Sequence, residues 1–257
     1  MPIEPMRPMV VMRPATIEDI ISIRDLWEKY GEENVDVRPM ADILASIESR
    51  SLYVFVDFKH NCVVGTGAFY DYDDEGYVNI ELGSSVWHPD YRGKGFADIS
   101  IAFRSIYSML TQPGSRCVSE LYETSKKSKA VLERMGFRQV TPTSAMAKHA
   151  EAVSSRPVIH MALDQQAVPR AAQILLSAIE VGQVQGGAGA GLIRFDAVSV
   201  YHLPMQSALT LLSKGDLSPI NYVEVNDTPE KRKVRGVFEE TVSVLLAMFS
   251  KMSSRNQ

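Results

Sequence analysis

The stretch from residue 87 to residue 110 constrains the fold more than any other, because it joins a tight glycine turn to a strongly periodic helix. The turn reads Arg92-Gly93-Lys94-Gly95. Its two glycines let the backbone bend sharply and approach a ligand closely. Apolar residues then recur every three or four positions and so share one helix face: Phe96, Ile99, Phe103, Ile106 and Leu110. The sequence therefore predicts a strand end, a turn and a helix in succession.

The glycine turn stands where the first N–H groups of the predicted helix have no partner within that helix. Such groups, together with the helix dipole, attract anions, and Arg92 and Lys94 add positive charge beside them. The turn lacks the lysine–serine/threonine pair of a nucleotide-hydrolase loop and the third glycine of a dinucleotide loop. It is interpreted as a seat for a pyrophosphate group, with an ordinary ligand-free turn as the alternative.

Two strings of residues, taken together, carry a family resemblance. Arg92-x-x-Gly95-x-Ala97 follows Trp-His-Pro-Asp-Tyr, and residues 125–137 form a short helical pattern that ends in Gly-Phe. In this order the two strings resemble the signatures of the GNAT superfamily of N-acetyltransferases. The resemblance implies an α/β (mixed α+β) fold at residues 8–164, with a central mixed, mostly antiparallel sheet flanked by helices. Residues 165–257 would be a helix-rich C-terminal extension of unknown role.

The resemblance also implies the function and the binding site. The expected activity is transfer of an acetyl group from acetyl-CoA, as co-substrate, to an amine of a small molecule or protein, by direct attack in a ternary complex. The strand before the glycine turn would splay from its neighbour beyond a bulge, so that its freed backbone pairs with the pantetheine arm. The residues implied for coenzyme binding are Val86, Trp87, Arg92, Gly93, Lys94, Gly95, Phe96, Ala97, Ser125 and Ser128.

Glu81 is the candidate for the general base, since members of the family that use a glutamate base often carry it on this strand. A surface glutamate on a strand edge is the equal alternative. Two positions depart from the family, because Ser125 stands where many members have asparagine and Leu132 where many have tyrosine. Leu132 cannot protonate a thiolate. The chain could therefore also be a non-catalytic acyl-CoA-binding regulatory or interaction module.

The rest of the first 164 residues reads as alternating helices and strands. A helix is predicted to begin at Thr16, with one face formed by Ile17, Ile20, Arg24 and Trp27. Residues 71–76 are interpreted as an acidic hairpin turn that either attracts a basic substrate or is simply solvated. Residues 141–155 are a polar stretch for which no helix or strand is predicted.

The extension shows a helical pattern that is followed by a glycine-rich run and later by a long terminal helix. The first helix is marked by Ala171, Ile174, Leu175, Ala178 and Val181. Residues 182–191 favour a flexible turn over a phosphate cradle, and residues 192–201 are strand-like. The helix that opens at Thr228 has a continuous apolar stripe to Met252. That stripe could pack within the chain, form a homodimer or bind a partner helix.

Composition narrows the class of protein. The chain has 257 residues with a net charge of −4, which argues against a general nucleic-acid binder. No apolar run approaches the length that crosses a membrane, and no secretory core is found at the start, so a cytoplasmic location is expected. Cys62 and Cys117 are expected to be buried free thiols, and no residue set has metal-ligand spacing. No metal is therefore predicted.

Overall fold

The computed structural model describes residues 10–31, 35–57, 59–183, 193–195 and 203–220, which fall within one compact unit (Met1–Tyr222). These residues form an eight-stranded sheet in the order β6-β7-β5-β4-β3-β2-β1-β8. The strands are β1 (Val10–Pro14), β2 (Leu52–Asp57), β3 (Cys62–Asp74), β4 (Tyr77–Trp87), β5 (Arg116–Tyr122), β6 (Phe137–Gln139), β7 (Val158–Leu163) and β8 (Ile193–Phe195). Only the β4–β5 and β1–β8 pairs are parallel. The predicted mixed, mostly antiparallel sheet is confirmed.

Helices cover both faces of this sheet. They are α1 (Ile20–Tyr30), α2 (Met40–Glu48), α3 (Phe96–Thr111), α4 (Lys126–Arg134), α5 (Ser144–Val153), α6 (Val168–Gln183) and α7 (Leu203–Ser213). One hydrophobic core joins α3 and α6 to the sheet, and a second core lies around α1 and α2. Among the described residues, no helix combines the length and the apolar character needed to cross a membrane.

Helix α1 begins at Ile20, later than predicted, because a 3₁₀ turn at Ile17–Asp19 follows Thr16; the helix also buries a different face. The backbone N–H of Thr16 donates to the Asp19 carboxylate at 2.8 Å, which satisfies a donor at the helix start. The buried residues are Ile20, Ile23, Leu26 and Trp27. The predicted face was wrong at two positions, since Ile17 and Arg24 are exposed. The three-residue 3₁₀ turn before α1 shifts the helical register, so Ile17 does not continue the apolar stripe.

Helix α3 confirms the face predicted from the apolar periodicity. Phe96, Phe103 and Ile106 are buried, while Ile99 and Leu110 are partly buried against the same core. Helix α6 packs on this core through Ala171, Ala172 and Leu175, which adds to the apolar surface that α3 buries.

Two segments between the strands differ from their prediction. Strand β3 runs on to Asp74, so the turn is confined to Glu75 and Gly76, both with positive φ. Asp74 is buried and accepts hydrogen bonds at 2.9 Å from Asn79 and from Thr143, so it is not a solvated turn residue. The polar stretch 141–155, for which the sequence predicted no element, contains α5, whose first turn is capped where Met146 N donates to the Thr143 hydroxyl at 3.2 Å. Its weak apolar stripe hid this helix in the sequence.

The cysteines and the extension agree with their predictions in part. Cys117 is buried as expected, but Cys62 is exposed because it opens β3 beside a turn. Helix α6 confirms the first predicted helix of the extension, and β8 confirms a short part of the strand-like run. The glycine-rich segment, apart from residues 182–183 at the end of α6, and the predicted terminal helix from Thr228 lie outside the described residues. The domain boundary at residue 164 stays a prediction.

Candidate active site

The site is organised by the place where β4 and β5 part. The two strands pair only at three positions, which end with Glu81 opposite Val118. On its other side, β4 carries a bulge, since Thr66 pairs with Val86 while Ala68 pairs with Gly83. The extra residue bends β4 away from β5. The splayed strand expected from the resemblance is therefore present.

Arg104 on α3 holds this bulge in place. Its guanidinium is buried and donates to the backbone oxygens of Ala68 at 2.8 Å and Gly83 at 2.9 Å, and to the Ser85 hydroxyl at 2.6 Å. These acceptors lie where the bulge interrupts regular pairing, so Arg104 satisfies groups that the sheet cannot. Burial lowers the pKa of Arg104 to about 10, which still leaves it charged at neutral pH.

A cavity of about 670 Å³ follows the opening between the two strands and reaches the glycine turn. This volume is within the usual range for a small-molecule site. Of the residues expected to bind the coenzyme, those that line it are Val86, Trp87, Arg92, Gly93, Gly95, Ala97 and Ser128. Lys94, Phe96 and Ser125 are not among the described residues that line it. Leu132 is buried and faces the cavity as an apolar side chain.

The glycine turn has the backbone shape that its sequence predicts. Gly93 and Gly95 have φ of +74° and +82°, a region that other residues seldom adopt. Gly95 immediately precedes α3, so the first N–H groups of that helix open beside it. Arg92 Nε donates to the backbone oxygen of Trp87 at 2.9 Å, which ties the turn to the end of β4. The Lys94 ammonium lies 5.3 Å from the ring centroid of Tyr91.

Aromatic and acidic contacts fix the base of the turn. The Trp87 ring lies 4.4 Å from that of Phe55 and 5.8 Å from that of Phe96 between centroids, so Phe96 packs in the core. The Tyr91 hydroxyl donates to the buried Asp57 carboxylate, which also accepts from the backbone of His60 at 2.9 Å. Burial alone would raise the pKa of Asp57, but these hydrogen bonds lower it below its usual range.

An acidic cluster lies on the other face of the sheet, at the same parting of β4 and β5. Glu81 is buried, and its Oε2 lies 3.0 Å from Nε2 of His149 on α5. The ring of His149 stacks on Tyr72 at 4.1 Å between centroids. Burial would lower the pKa of His149, but Glu81 raises it overall and so favours the imidazolium. The sequence predicted Glu81 as a catalytic residue but did not predict its partner.

Glu120 on β5 is the second carboxyl of this cluster. Its side chain is only 3% exposed, and neither oxygen has a hydrogen-bond partner among the described residues. The nearest cation candidate is His160 on β7, whose Nδ1 lies 3.6 Å from Oε1. Burial, with the charge of Glu81 beside it, raises the pKa of Glu120 to about 8. Glu120 lines the cavity, whereas Glu81 is not among its described lining residues.

Ligand atoms of Glu81, Glu120 and His149 lie within 4.8 Å of one another, a spacing that a divalent cation could also bridge. Sequence reasoning missed this grouping because His149 lies in the polar stretch 141–155, for which no helix was predicted. The signal that could have found Glu120 is a glutamate placed within a buried strand, which is unusual unless it is paired or functional. The expectation of no metal stays a prediction.

Comparison with known proteins agrees with this architecture. Residues 20–137 match the model of the acetyltransferase (GNAT) family. These residues form a GNAT-family domain. The resemblance stated from the two signatures is thereby confirmed, and the match supports acyl transfer from an acyl-CoA as the general class of activity.

Solved structures of GNAT proteins resemble the chain at low identity. A chain of the NatC complex bound to Gag peptide and CoA has 15% identity and a TM-score of 0.49, over 60% of this chain and 97% of that one. Rv2747 from Mycobacterium tuberculosis, in complex with CoA, has 17% identity and a TM-score of 0.48, over 59% of this chain and 97% of that one. Naa50 from Arabidopsis thaliana, in complex with a bisubstrate analogue, has 12% identity and a TM-score of 0.47, over 61% of this chain and 99% of that one. The search of curated proteins gave no match.

Proposed function

We propose that this GNAT-family protein is an N-acetyltransferase that moves an acetyl group from acetyl-CoA to an amine. The observation that carries the proposal is one continuous cavity that joins the parted strand β4 to the glycine turn. An extended amide chain such as pantetheine can pair with freed strand backbone, here near Val86 and Trp87. A pyrophosphate fits the turn at Gly93 and Gly95, where helix N–H groups open.

The chemistry of the site favours direct attack by the amine over a covalent enzyme intermediate. The thioester supplies an activated acyl group, and holding it beside the amine provides much of the rate. Burial raises the pKa of Cys117 to about 12, and the pKa of Cys62 is also raised, so neither thiol is an activated nucleophile. Glu81, which the sequence predicted as the base, is buried beside His149 and is not among the described residues that line the cavity.

A non-catalytic acyl-CoA-binding module is the second candidate. It is favoured by one observation, that the apolar side chain of Leu132 lines the cavity where many relatives have a tyrosine. The leaving thiolate would then depart without help from that position. The acceptor is proposed to be an amine of a small molecule or a protein, and neither a nucleic acid nor a membrane is proposed as a partner. A cytoplasmic location and a homodimer through the extension remain proposals.

The test is isothermal titration of the protein with acetyl-CoA and with coenzyme A. Gly95→Trp should abolish binding, because the side chain would occupy the pyrophosphate seat. A positive φ makes any substitution at Gly95 strained, so Gly76→Trp is the matched control. Gly76 has φ of +89°, open space around it and a position in the β3–β4 turn.

Three outcomes separate the candidates. Binding by wild type and Gly76→Trp but not by Gly95→Trp supports the coenzyme site. If the protein then releases the thiol of coenzyme A from acetyl-CoA in the presence of at least one amine from a broad panel, it is an acyltransferase. Binding without thiol release favours the non-catalytic module, and failure of the wild type to bind either ligand contradicts both candidates.

A further inference from the structure

We propose that Glu120, rather than Glu81, takes the proton from the acceptor amine, and that the Glu81–His149 pair is a positioning pair that holds this carboxyl in place. The inference rests on the proposed acyl transfer. Glu120 is a buried side chain whose two oxygens accept no hydrogen bond from the described residues, although Nδ1 of His160 lies 3.6 Å from Oε1. A buried polar group without a partner costs free energy, so its persistence at a cavity wall points to a partner that arrives with the substrate.

The strand register places Glu120 closer to the opening than Glu81. Glu81 pairs with Val118 at the last position where β4 and β5 meet, and side chains of paired residues share a face. Glu120 is two residues farther along β5, on that same face and opposite His160 of β7. It therefore stands beyond the last residue of β5 that pairs with β4, and it lines the cavity.

Glu81 is already engaged. Its Oε2 faces His149 Nε2 at 3.0 Å, and His149 is fixed in turn by its stacking on Tyr72 of β3. One oxygen of Glu81 is therefore already engaged, whereas the oxygens of Glu120 accept no hydrogen bond from the described residues. The pair instead places a negative charge beside Glu120 and restricts the space in which that carboxyl can move.

The charged groups around Glu120 suit a base that works near neutral pH. Glu81 faces it from β4, His149 from α5, His160 from β7 and Tyr72 from β3. The charge of Arg38 acts on His149 and offsets part of the rise that Glu81 causes in the pKa of that imidazole. Burial and the Glu81 charge raise the pKa of Glu120 to about 8, close to the operating pH that favours general base catalysis.

The step balances without another reagent. The N–H bond of the ammonium breaks and an O–H bond forms on Glu120. The nitrogen lone pair then forms the bond to the acyl carbon while the carbon–sulfur bond breaks and its electron pair leaves on sulfur. The nitrogen loses its second proton to water, and the thiolate takes one proton from water. Glu120 then releases its own proton to water, which restores the carboxylate.

The first test needs no acceptor. Carbon-13 NMR of labelled glutamate carboxyls should show one group that titrates near pH 8 in the wild type and disappears in Glu120→Gln. A Glu120 carboxyl that titrates below pH about 5, as an ordinary glutamate does, overturns the proposal whatever the activity of the protein.

The second test is kinetic, with thiol release measured on an alanine-initiated tripeptide and on a lysine amide. Glu120→Gln should lower kcat by about 100-fold or more, leave the Kd for acetyl-CoA within about twofold, and remove the acid limb of the pH profile. Glu120→Asp should keep the limb and part of the activity. Glu81→Gln should move the limb to lower pH, because a neighbouring negative charge is lost. Glu123→Gln, an exposed residue just beyond the end of β5, is the matched control.

Two kinetic results would contradict the proposal. The proposal would be refuted if Glu120→Gln kept at least a third of the wild-type kcat and an intact acid limb in its pH profile. It would also be refuted if the acid limb were lost in Glu81→Gln alone. Activity that is abolished by a chelator and restored by a divalent metal would show that the cluster binds a cation instead. A protein that does not bind acetyl-CoA fails the proposed function itself, and the titration calorimetry detects that separately.

Discussion

Replacement of Arg104 by methionine should test whether the parting of β4 and β5 depends on a side chain of α3. Methionine has a similar length and no hydrogen-bond donor. The change would leave the backbone oxygens of Ala68 and Gly83, which accept at 2.8 and 2.9 Å, without their buried partner. The Ser85 hydroxyl, at 2.6 Å, would lose its donor as well.

The magnitude follows from these groups. Each buried acceptor left unpaired costs about 1–3 kcal/mol, so the two carbonyls together cost about 2–6 kcal/mol. Removing a desolvated guanidinium offsets part of that loss. We expect the free energy of unfolding to fall by about 3 kcal/mol. Arg138→Met is the control, since Arg138 is 71% exposed and pairs with Asp164; such surface pairs contribute about 1 kcal/mol or less.

The assay is urea unfolding followed by tryptophan fluorescence, because Trp27 and Trp87 both lie in the cores next to β3 and β4. The affinity for acetyl-CoA should also weaken in Arg104→Met, since the bulge opens the cavity. If Arg104→Met destabilises the protein by no more than Arg138→Met does, the bulge does not depend on Arg104 and the reasoning is refuted.

Two further changes test the base of the glycine turn. Tyr91→Phe should reduce stability above pH about 4, the unfolded value for aspartate, because Tyr91 helps to lower the pKa of Asp57 in the folded protein. The difference in the free energy of unfolding between wild type and Tyr91→Phe should shrink as the pH falls below that value. A difference that stays constant across the acid range would contradict this reasoning. Gly65→Ala places a methyl group 2.5 Å from the Trp87 ring. It should lower the free energy of unfolding by about 1–3 kcal/mol and weaken acetyl-CoA binding. Thermal unfolding measures the stability and calorimetry the affinity, and unchanged values would show that Trp87 moves to accommodate the methyl group.

Much of the fold near the glycine turn could be predicted from the sequence, because the signals there are local. The positive φ of Gly93 and Gly95 and the buried face of α3 follow from residue type and spacing. The prediction failed where tertiary contacts outweigh local pattern. Helix α5 has a weak apolar stripe, and it packs against β3 and orients His149 toward Glu81.

The site was predictable to a similar extent. Most of the residues predicted to bind the coenzyme line the cavity, since the turn and the strand before it are continuous in sequence. Phe96 and Ser125 are buried instead, because a position within a motif does not say where its side chain points. Glu120 was missed, since one glutamate in a strand gives no sign of the residues across from it.

The sequence by itself determined the turn, the helix that follows it and the family to which residues 20–137 belong, because each depends on residues near one another in the chain. Only the tertiary structure decided which carboxyls meet where β4 and β5 part. Glu81, Glu120, His149 and His160 come from four separate elements, and their burial and mutual charge arise only when the sheet and α5 bring them together. Proton affinity in this cluster is therefore a property of the fold, whereas the conformation of the glycine turn is a property of the sequence.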